Sequence, residues 1–433
     1  MTVFNTNITL DGSTSFSIAD LGTFSWNNNF LYGIDLFDPD AGDTHEITMN
    51  LTGSNWAVRN FSISGNADYD VSIVDTDAGP GRTLEHINMF VGGTMTMDLQ
   101  TTSARSIFLT DGQFDLSLGS GFFSSIQLNQ GSDNTVRNDA SGFIQWLSIG
   151  ALASGTADNH LDIEGRLNAA RIFQGVNTID VAGRIDSLVI NEADSTTITG
   201  TTGSRIEAMT INGFYDSSGD LLDLSSNTID AARIDSARIN GGDNDITIRD
   251  RADAMTIYDS VSDITVTDGA RIAALTGTGT NTIDLLGSAR IFQARLDDGI
   301  HSLTSQSGIV DSYISYNSTN TLNIGSGGLQ QLRLGSTVGT QTIDASGFVG
   351  SAFINGPGNV DMALLGGMGS ILAFGAAEYT LTLGSGFNGT AQLYASSRST
   401  VTTGTGEVVA IFTGDGDDLI TALLHKWREG FPV

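Results

Sequence analysis

The stretch Gly175-Val176-Asn177-Thr178-Ile179-Asp180-Val181-Ala182-Gly183-Arg184-Ile185-Asp186-Ser187-Leu188-Val189-Ile190 carries both a period and a parity. Alternation in Thr178-Ile179-Asp180-Val181 turns Ile179 and Val181 to the buried side of a strand. Gly183 reads as a corner, taking a backbone conformation that other residues avoid. Ile185 points inward again. The parity then shifts across Asp186-Ser187, so that Leu188 and Ile190 face the core. One such unit holds two short strands and at least two corners.

The unit recurs. Its signature is a small residue, any residue, Asn, Thr and an aliphatic. It occurs as Ser132-Asp133-Asn134-Thr135-Val136, Ser225-Ser226-Asn227-Thr228-Ile229, Gly279-Thr280-Asn281-Thr282-Ile283 and Ser318-Thr319-Asn320-Thr321-Leu322. Looser copies are Gly242-Asp243-Asn244-Asp245-Ile246, Gly339-Thr340-Gln341-Thr342-Ile343 and Gly416-Asp417-Asp418-Leu419-Ile420. The aliphatic anchors fall at 161, 179, 198, 229, 246, 264, 283, 303, 322, 343, 360, 381, 401 and 420. Neighbours lie 17 to 21 apart except for one gap of 31, which holds Phe214-Tyr215-Asp216-Ser217-Ser218-Gly219-Asp220 and reads as a loop inserted between coils. A period near 19 is too short for a two-helix repeat and fits one turn of a solenoid. The expected fold is all-β, a right-handed parallel β-solenoid, β-helix or β-roll-like, with coils of about 19 residues. Each strand pairs with its equivalents above and below at about 4.8 Å, and about 15 coils from residue 134 onward make a rod on the order of 70 Å long.

Composition agrees. Gly numbers 53 against 4 Pro, and charged residues are 16%, well under the usual quarter, which suits short strands joined by tight turns. The net charge is −30, with Lys426 the only lysine. Such a surface repels nucleic acid and anionic lipid and favours divalent cations with oxygen ligands. The absence of Cys excludes disulfides and thiolate zinc sites. No apolar run approaches the roughly 18 residues of a membrane span. Met1-Thr2-Val3-Phe4-Asn5-Thr6-Asn7 lacks the basic and apolar regions of a signal peptide, so export would use another signal.

Stacking accounts for two recurring polar residues. Asn at the same place in successive coils can hydrogen-bond along the stack as a ladder. Arg recurs at 166, 184, 205, 233, 251, 271 and 290, several with an Asp just upstream, as in Asp162–Arg166, Asp180–Arg184 and Asp230–Arg233. Charge compensation within the stack is one reading and an anion-binding stripe the other.

Three regions follow: 1–118, irregular coils with acidic loops; 119–412, the regular solenoid; and 413–433, an acidic turn and a C-terminal cap. In the first region Asp38-Pro39-Asp40-Ala41-Gly42 is echoed by Asp75-Thr76-Asp77-Ala78-Gly79, and His45-Glu46-Ile47-Thr48-Met49 by Glu85-His86-Ile87-Asn88-Met89. The offset of 37 to 40 is about two coils, so the solenoid is expected to start near the N-terminus. At the other end Ile420, Leu423, Leu424, Trp427 and Phe431 follow helical spacing, with Asp417 and Asp418 before them and Gly430 and Pro432 as a stop. A short helix there would cover the last open sheet edge. The rival reading is the cut end of a longer chain.

Gly414-Asp415-Gly416-Asp417-Asp418-Leu419-Ile420-Thr421, with Thr413 in the first Gly position, resembles one unit of the hemolysin-type (RTX) calcium-binding nonapeptide. That family's β-roll takes two nonapeptides, about 18 residues, per coil. The resemblance implies Ca2+ held in the turn, with Asp418 as side-chain ligand and Gly414 and Gly416 giving carbonyls. It also implies a Gram-negative bacterial product exported without an N-terminal signal peptide. Elsewhere Asn replaces the ligand Asp and removes the charge that calcium needs, so the fold as a whole is not expected to depend on calcium. Asp38, Asp40, Asp75 and Asp77 form two loops of calcium-ligand type, though Asp-rich turns are also common simply as turns. Within a strand, His45 with Glu46 and Glu85 with His86 point to opposite faces and cannot chelate as pairs.

The five His are scattered, and no H-E-x-x-H, G-x-S-x-G or P-loop pattern occurs. Asp297-Asp298 and Asp417-Asp418 are turn neighbours, a weak basis for paired catalytic carboxylates. The Thr arrays that an ice-binding face needs are interrupted by Asp or Asn in most coils. The expected function is that of a non-enzymatic extracellular or cell-surface protein, a surface-layer, matrix or adhesin component. Its expected partners are glycans, a cell surface or further copies of itself, with neither nucleic acid nor membrane insertion. The alternative is a carbohydrate-active β-helix enzyme or a phage tail-spike-like glycan-binding protein, marked by a groove with Trp26, Trp56, Trp146 and carboxylates.

Overall fold

In the computed structural model the chain is an all-β parallel β-solenoid of about 17 coils, each of roughly 20 residues. The structure describes residues 3–10, 22–27, 31–38, 43–51, 57–75, 83–91, 93–129, 133–150, 157–213, 225–336, 339–375, 378–394, 398–414 and 416–422. The chain divides into two compact units, Met1–Ala232 and Arg233–Val433.

In the first unit each regular coil supplies two strands. The first strands, among them Asp133–Asn138, Asp158–Ile163, Val176–Val181 and Ser195–Gly200, pair in parallel. So do the second strands, among them Phe143–Ile149, Arg166–Phe173, Arg184–Asn191 and Arg205–Asn212. The alternation reads as expected: Ile179, Val181, Ile185, Leu188 and Ile190 are each at most 1% exposed. Asp186 and Ser187 are both half-buried between two buried positions, which is the parity shift.

Gly183 departs from expectation. Its backbone is not left-handed; the left-handed corner residues are Gln174 (φ 60°), Gly175 (φ 82°) and Glu192 (φ 55°). Gly183 is needed for a different reason. A Cβ there would lie 1.9 Å from the Gly165 carbonyl oxygen of the preceding coil.

The Asn ladder is present. Asn134 Nδ2 donates to Asn159 Oδ1, and Asn159 Nδ2 to Asn177 Oδ1, each at 2.8 Å and buried. A buried amide is costly unless bonded, and in-register stacking supplies the partner. Towards the N-terminus the same column holds Phe114, Met95, Tyr69 and His45. Apolar filling there replaces the polar ladder, which explains why the Asn phrase fades before residue 132. The N-terminal duplication is not a structural repeat. His45 lies on the first-strand sheet in Thr44–Leu51, whereas His86 lies on the second-strand sheet in Thr83–Val91. Asp38 and Asp75 likewise end strands of different sheets. Gly22–Asn27 pairs antiparallel with the strand Leu31–Asp38 and covers its edge, a protection that exposed edges need.

In the second unit the first strands include Thr319–Ile324, Gln341–Ala345, Val360–Leu364, Glu378–Leu383 and Arg398–Thr403. The second unit has a buried polar column of more varied composition. Asn244 donates to Ser262 Oγ at 3.1 Å, Asn281 meets His301 Nδ1 at 3.2 Å, and Asn320 donates to Gln341 Oε1 at 2.7 Å. Val360 proves to belong to this column, opposite Gln341. Met362 takes the anchor position between Ile343 and Leu381, which makes both intervals 19 rather than 17 and 21.

At the C-terminal end Leu419–Ala422 is a strand paired with Thr400–Thr403. The helix read from Ile420 therefore cannot begin there, because the strand ladder claims that backbone. Leu423, Leu424, Trp427 and Phe431 lie outside the described residues, as does the inserted loop Phe214–Asp220. Pairing resumes across that loop with Ile198 opposite Ile229.

Candidate functional site

Stacking in register turns every outward position into a column. In the second unit the second strands Ile309–Tyr316, Leu329–Gly335, Val349–Asn355, Met368–Phe374 and Asn388–Tyr394 pair in parallel. One outward column reads Ser312, Gln331, Ser351, Ser370, Thr390. The next reads Ile314, Arg333, Phe353, Leu372, Gln392. The third reads Tyr316, Gly335, Asn355, Phe374, Tyr394. Arg333 is the one charged residue on these three columns.

The rings form a continuous stripe. Phe374 and Tyr394 stack at 5.2 Å with planes 6° apart, and Phe353 meets Phe374 at 6.2 Å. The Arg333 guanidinium lies 5.6 Å from the Phe353 centroid and 5.9 Å from that of Tyr316. Arg295, paired with Asp297 at 2.7 Å, also lies 5.7 Å from the Tyr316 centroid. Each such cation–π contact contributes about 0.5–1 kcal/mol at an exposed site. Tyr316 lies down over Gly335, where a Cβ would come within 2.4 Å of the ring. Phe374 and Tyr394 remain 36% and 43% exposed.

The arginine column of the first unit is Arg166, Arg184 and Arg205, in register. Its charge is compensated, but not by the upstream Asp residues. Arg166 and Arg184 both reach Asp186 at 2.5 Å, and Arg184 and Arg205 both reach Glu207, at 2.5 and 3.1 Å. An acid two residues along the strand, or in the next coil, shares the outward side with the Arg. The upstream Asp sits on the preceding strand. In the second unit Arg233 pairs with Asp235, Arg251 with Asp253 and Arg290 with Asp311 by the same geometry. Partial burial pushes the Asp186 carboxyl up; hydrogen bonds and charge from Arg166 and Arg184 outweigh it and hold the group below the usual carboxylate range. A shallow hollow of about 540 Å³ lies along this column, with Phe143 and Glu164 also lining it. A second, of about 390 Å³, is lined by Asp98, Asp139, Asp162, Glu164 and Arg137, whose guanidinium pairs with Asp115.

The residues expected to hold metal belong to three separate stretches, two N-terminal loops and the C-terminal turn. Asp38 is bonded to the buried His45 Nε2 at 2.6 Å. Burial, with the Asp38 charge second, pushes the neighbouring Tyr69 hydroxyl up to about 12. Asp75 ends the strand Asp68–Asp75, and Asp40 and Asp77 lie outside the described residues. At the C-terminal turn Gly414 donates its N–H to Leu393, and Asp418 Oδ1 accepts the Ser399 N–H at 2.9 Å. Asp418 stands next in the column that holds Asn elsewhere, beside Ser399. Among the described residues no three His, Asp or Glu side chains converge on one point. Trp146 is exposed in the first unit, opposite Ala169. Trp56 and the Trp26 side chain are outside the described set.

No protein-family model matches the chain, and no curated protein and no solved structure matches it. The stripe was not read from sequence, although a signal was there: Tyr316, Arg333, Phe353, Phe374 and Tyr394 recur at 17 to 21 residues, the period of the anchors.

Proposed function

We propose that this chain is a non-catalytic bacterial extracellular protein, an adhesive or structural solenoid that works by displaying uninterrupted surface. The observation that carries the reading is the columnar register itself. Side chains about 20 residues apart in sequence become lateral neighbours, and one chemistry is repeated over five coils of the second unit. Repeat architectures use such extended surfaces for binding. The acidic hollow at Asp98, Asp139, Asp162 and Glu164 favours the rival, a carbohydrate-active solenoid. Incubating the full chain with a panel of polysaccharides and analysing products by chromatography separates the two. The expected result is binding to cells, matrix or glycan without turnover. Product formation that disappears in Asp139→Asn or Glu164→Gln overturns the non-catalytic reading.

Calcium belongs to the same proposal, confined to one turn. Asp418 with the Gly414 and Gly416 carbonyls supplies RTX-type ligands, whereas Asn134 and Asn159 donate their amides along the ladder and Asn177 donates to the Gly175 carbonyl. Calorimetric titration is expected to find one calcium site, lost in Asp418→Ala, while circular dichroism in excess chelator keeps most of the β signal. Collapse of the spectrum on chelation would show that the Asn-bearing coils hold metal too.

A further inference from the structure

We infer that the aromatic stripe of the second unit is a binding platform for a neutral oligosaccharide lying along the stack of coils. The inference rests on the reading of the chain as a non-catalytic binding protein and names its ligand class. Three observations carry it. The first is charge. The molecule bears −30, yet from Ser312 to Tyr394 the chain holds four charged residues, Arg333, Asp344, Asp361 and Glu378. The three acids lie in or beside the first strands, and the three outward columns carry none. The second is the pairing of chemistries. Half-exposed rings alternate with uncharged donors and acceptors such as Asn355 and Gln392, which suits a ligand with apolar C–H faces and many hydroxyls. The third is geometry. The coil spacing of about 4.8 Å places successive rings and amides along a line, as an extended sugar chain places its units.

Tyr394 is the strongest single contact. Phe374 covers one of its faces, and the residue opposite it in the next coil is Gly414, which has no side chain to lay over the other. A sugar ring can stack there. Arg333, held between Tyr316 and Phe353, donates to hydroxyls without drawing in a polyanion, because the surrounding field is acidic. A second copy of this chain fits less well, since two molecules of charge −30 repel and Ser, Asn and Gln between the rings retain water.

The test titrates the full chain with linear neutral hexasaccharides of glucose, xylose and mannose, and with hexagalacturonate as the acidic arm. At least one neutral chain is expected to bind, with little effect of salt. Phe374→Ala combined with Tyr394→Ala should weaken it about tenfold, the loss expected for two ring contacts. Both rings are partly buried against each other, so the double variant should melt somewhat lower but keep its β circular dichroism at the titration temperature, and Phe90→Ala on the first unit should bind as the parent does. Four results overturn the platform: no neutral binding, binding of the acidic chain alone with steep salt dependence, equal binding by the double variant, or a dimer in sedimentation that the double variant abolishes. Cleavage of a bound chain would overturn the non-catalytic reading and leave the platform standing. Absence of both binding and cleavage does the reverse.

Discussion

Alanine at Gly183 is expected to cost the first unit about 4 kcal/mol or more, at the large end for a single substitution. The added Cβ would lie 1.9 Å from Gly165 O, 2.3 Å from Glu164 O and 2.7 Å from Glu164 C. All three are backbone atoms of the preceding coil, so no rotamer change relieves the overlap. The coils must part, which lengthens the bonds from Gly183 N to Ile163 O and from Arg184 N to Gly165 O, both 2.9 Å. Gly203 provides the control. Its φ is +92°, and a Cβ there meets nothing within 4 Å, so alanine costs only conformational strain of about 1–2 kcal/mol. Urea denaturation of the two variants checks the contrast. Equal midpoints would show that coil contact at this corner is looser than described.

Acidification is expected to remove up to about 3 kcal/mol through His301 alone, at 1.36 kcal/mol per pKa unit. The ring is 1% exposed, and its Nε2 has no hydrogen-bond partner among the described residues. Burial lowers its pKa from 6.5 to about 4, against the opposing influence of the Asp297 backbone and the charges of Asp297 and Asp298. The folded pKa is the lower one, so between these values the unfolded chain takes up a proton that the folded chain refuses. Stability is therefore full above pH 6.5 and falls as the pH drops towards 4. His301→Asn removes the titrating group and returns an amide to the column between Asn281 and Asn320. Its urea midpoint should fall less than the parent's between pH 7 and 4. Parallel losses in the two proteins would assign the acid sensitivity to carboxylates instead.

Both effects come from a core only part of which the sequence announces. Period and parity are local properties. Ile179, Val181, Ile185, Leu188 and Ile190 reveal them within a single coil, because alternation along a strand and a shift at a bend are written in consecutive residues. The Asn ladder was legible for a related reason: an identical residue at a constant interval has to stack on itself once the coils form.

What the sequence left open concerns neighbours about 20 residues away. Val360 and Met362 are both apolar and both fall within the range of spacings. The even interval of 19 favours Met362, and the strand register decides it, because Val360 stands opposite Gln341 in the polar column. Arg184 has Asp180 four residues upstream and Asp186 two downstream. Parity along the strand puts Asp186 on its side, and only the pairing of second strands brings Glu207 of the next coil and Arg166 of the preceding one into the same network. Gly183 announces a corner, but whether it serves by φ or by the absence of a Cβ depends on where Gly165 lies. The aromatic stripe is of the same kind. Its members are ordinary exposed residues one at a time and become a surface only when the coils bring them within about 6 Å of one another. The sequence by itself determined the solenoid, the parity of its strands and the column of stacked amides. The tertiary structure alone decided which charges pair, which glycines are irreplaceable and where a binding surface can form, because lateral contact depends on the length of every intervening corner and no local pattern encodes that sum.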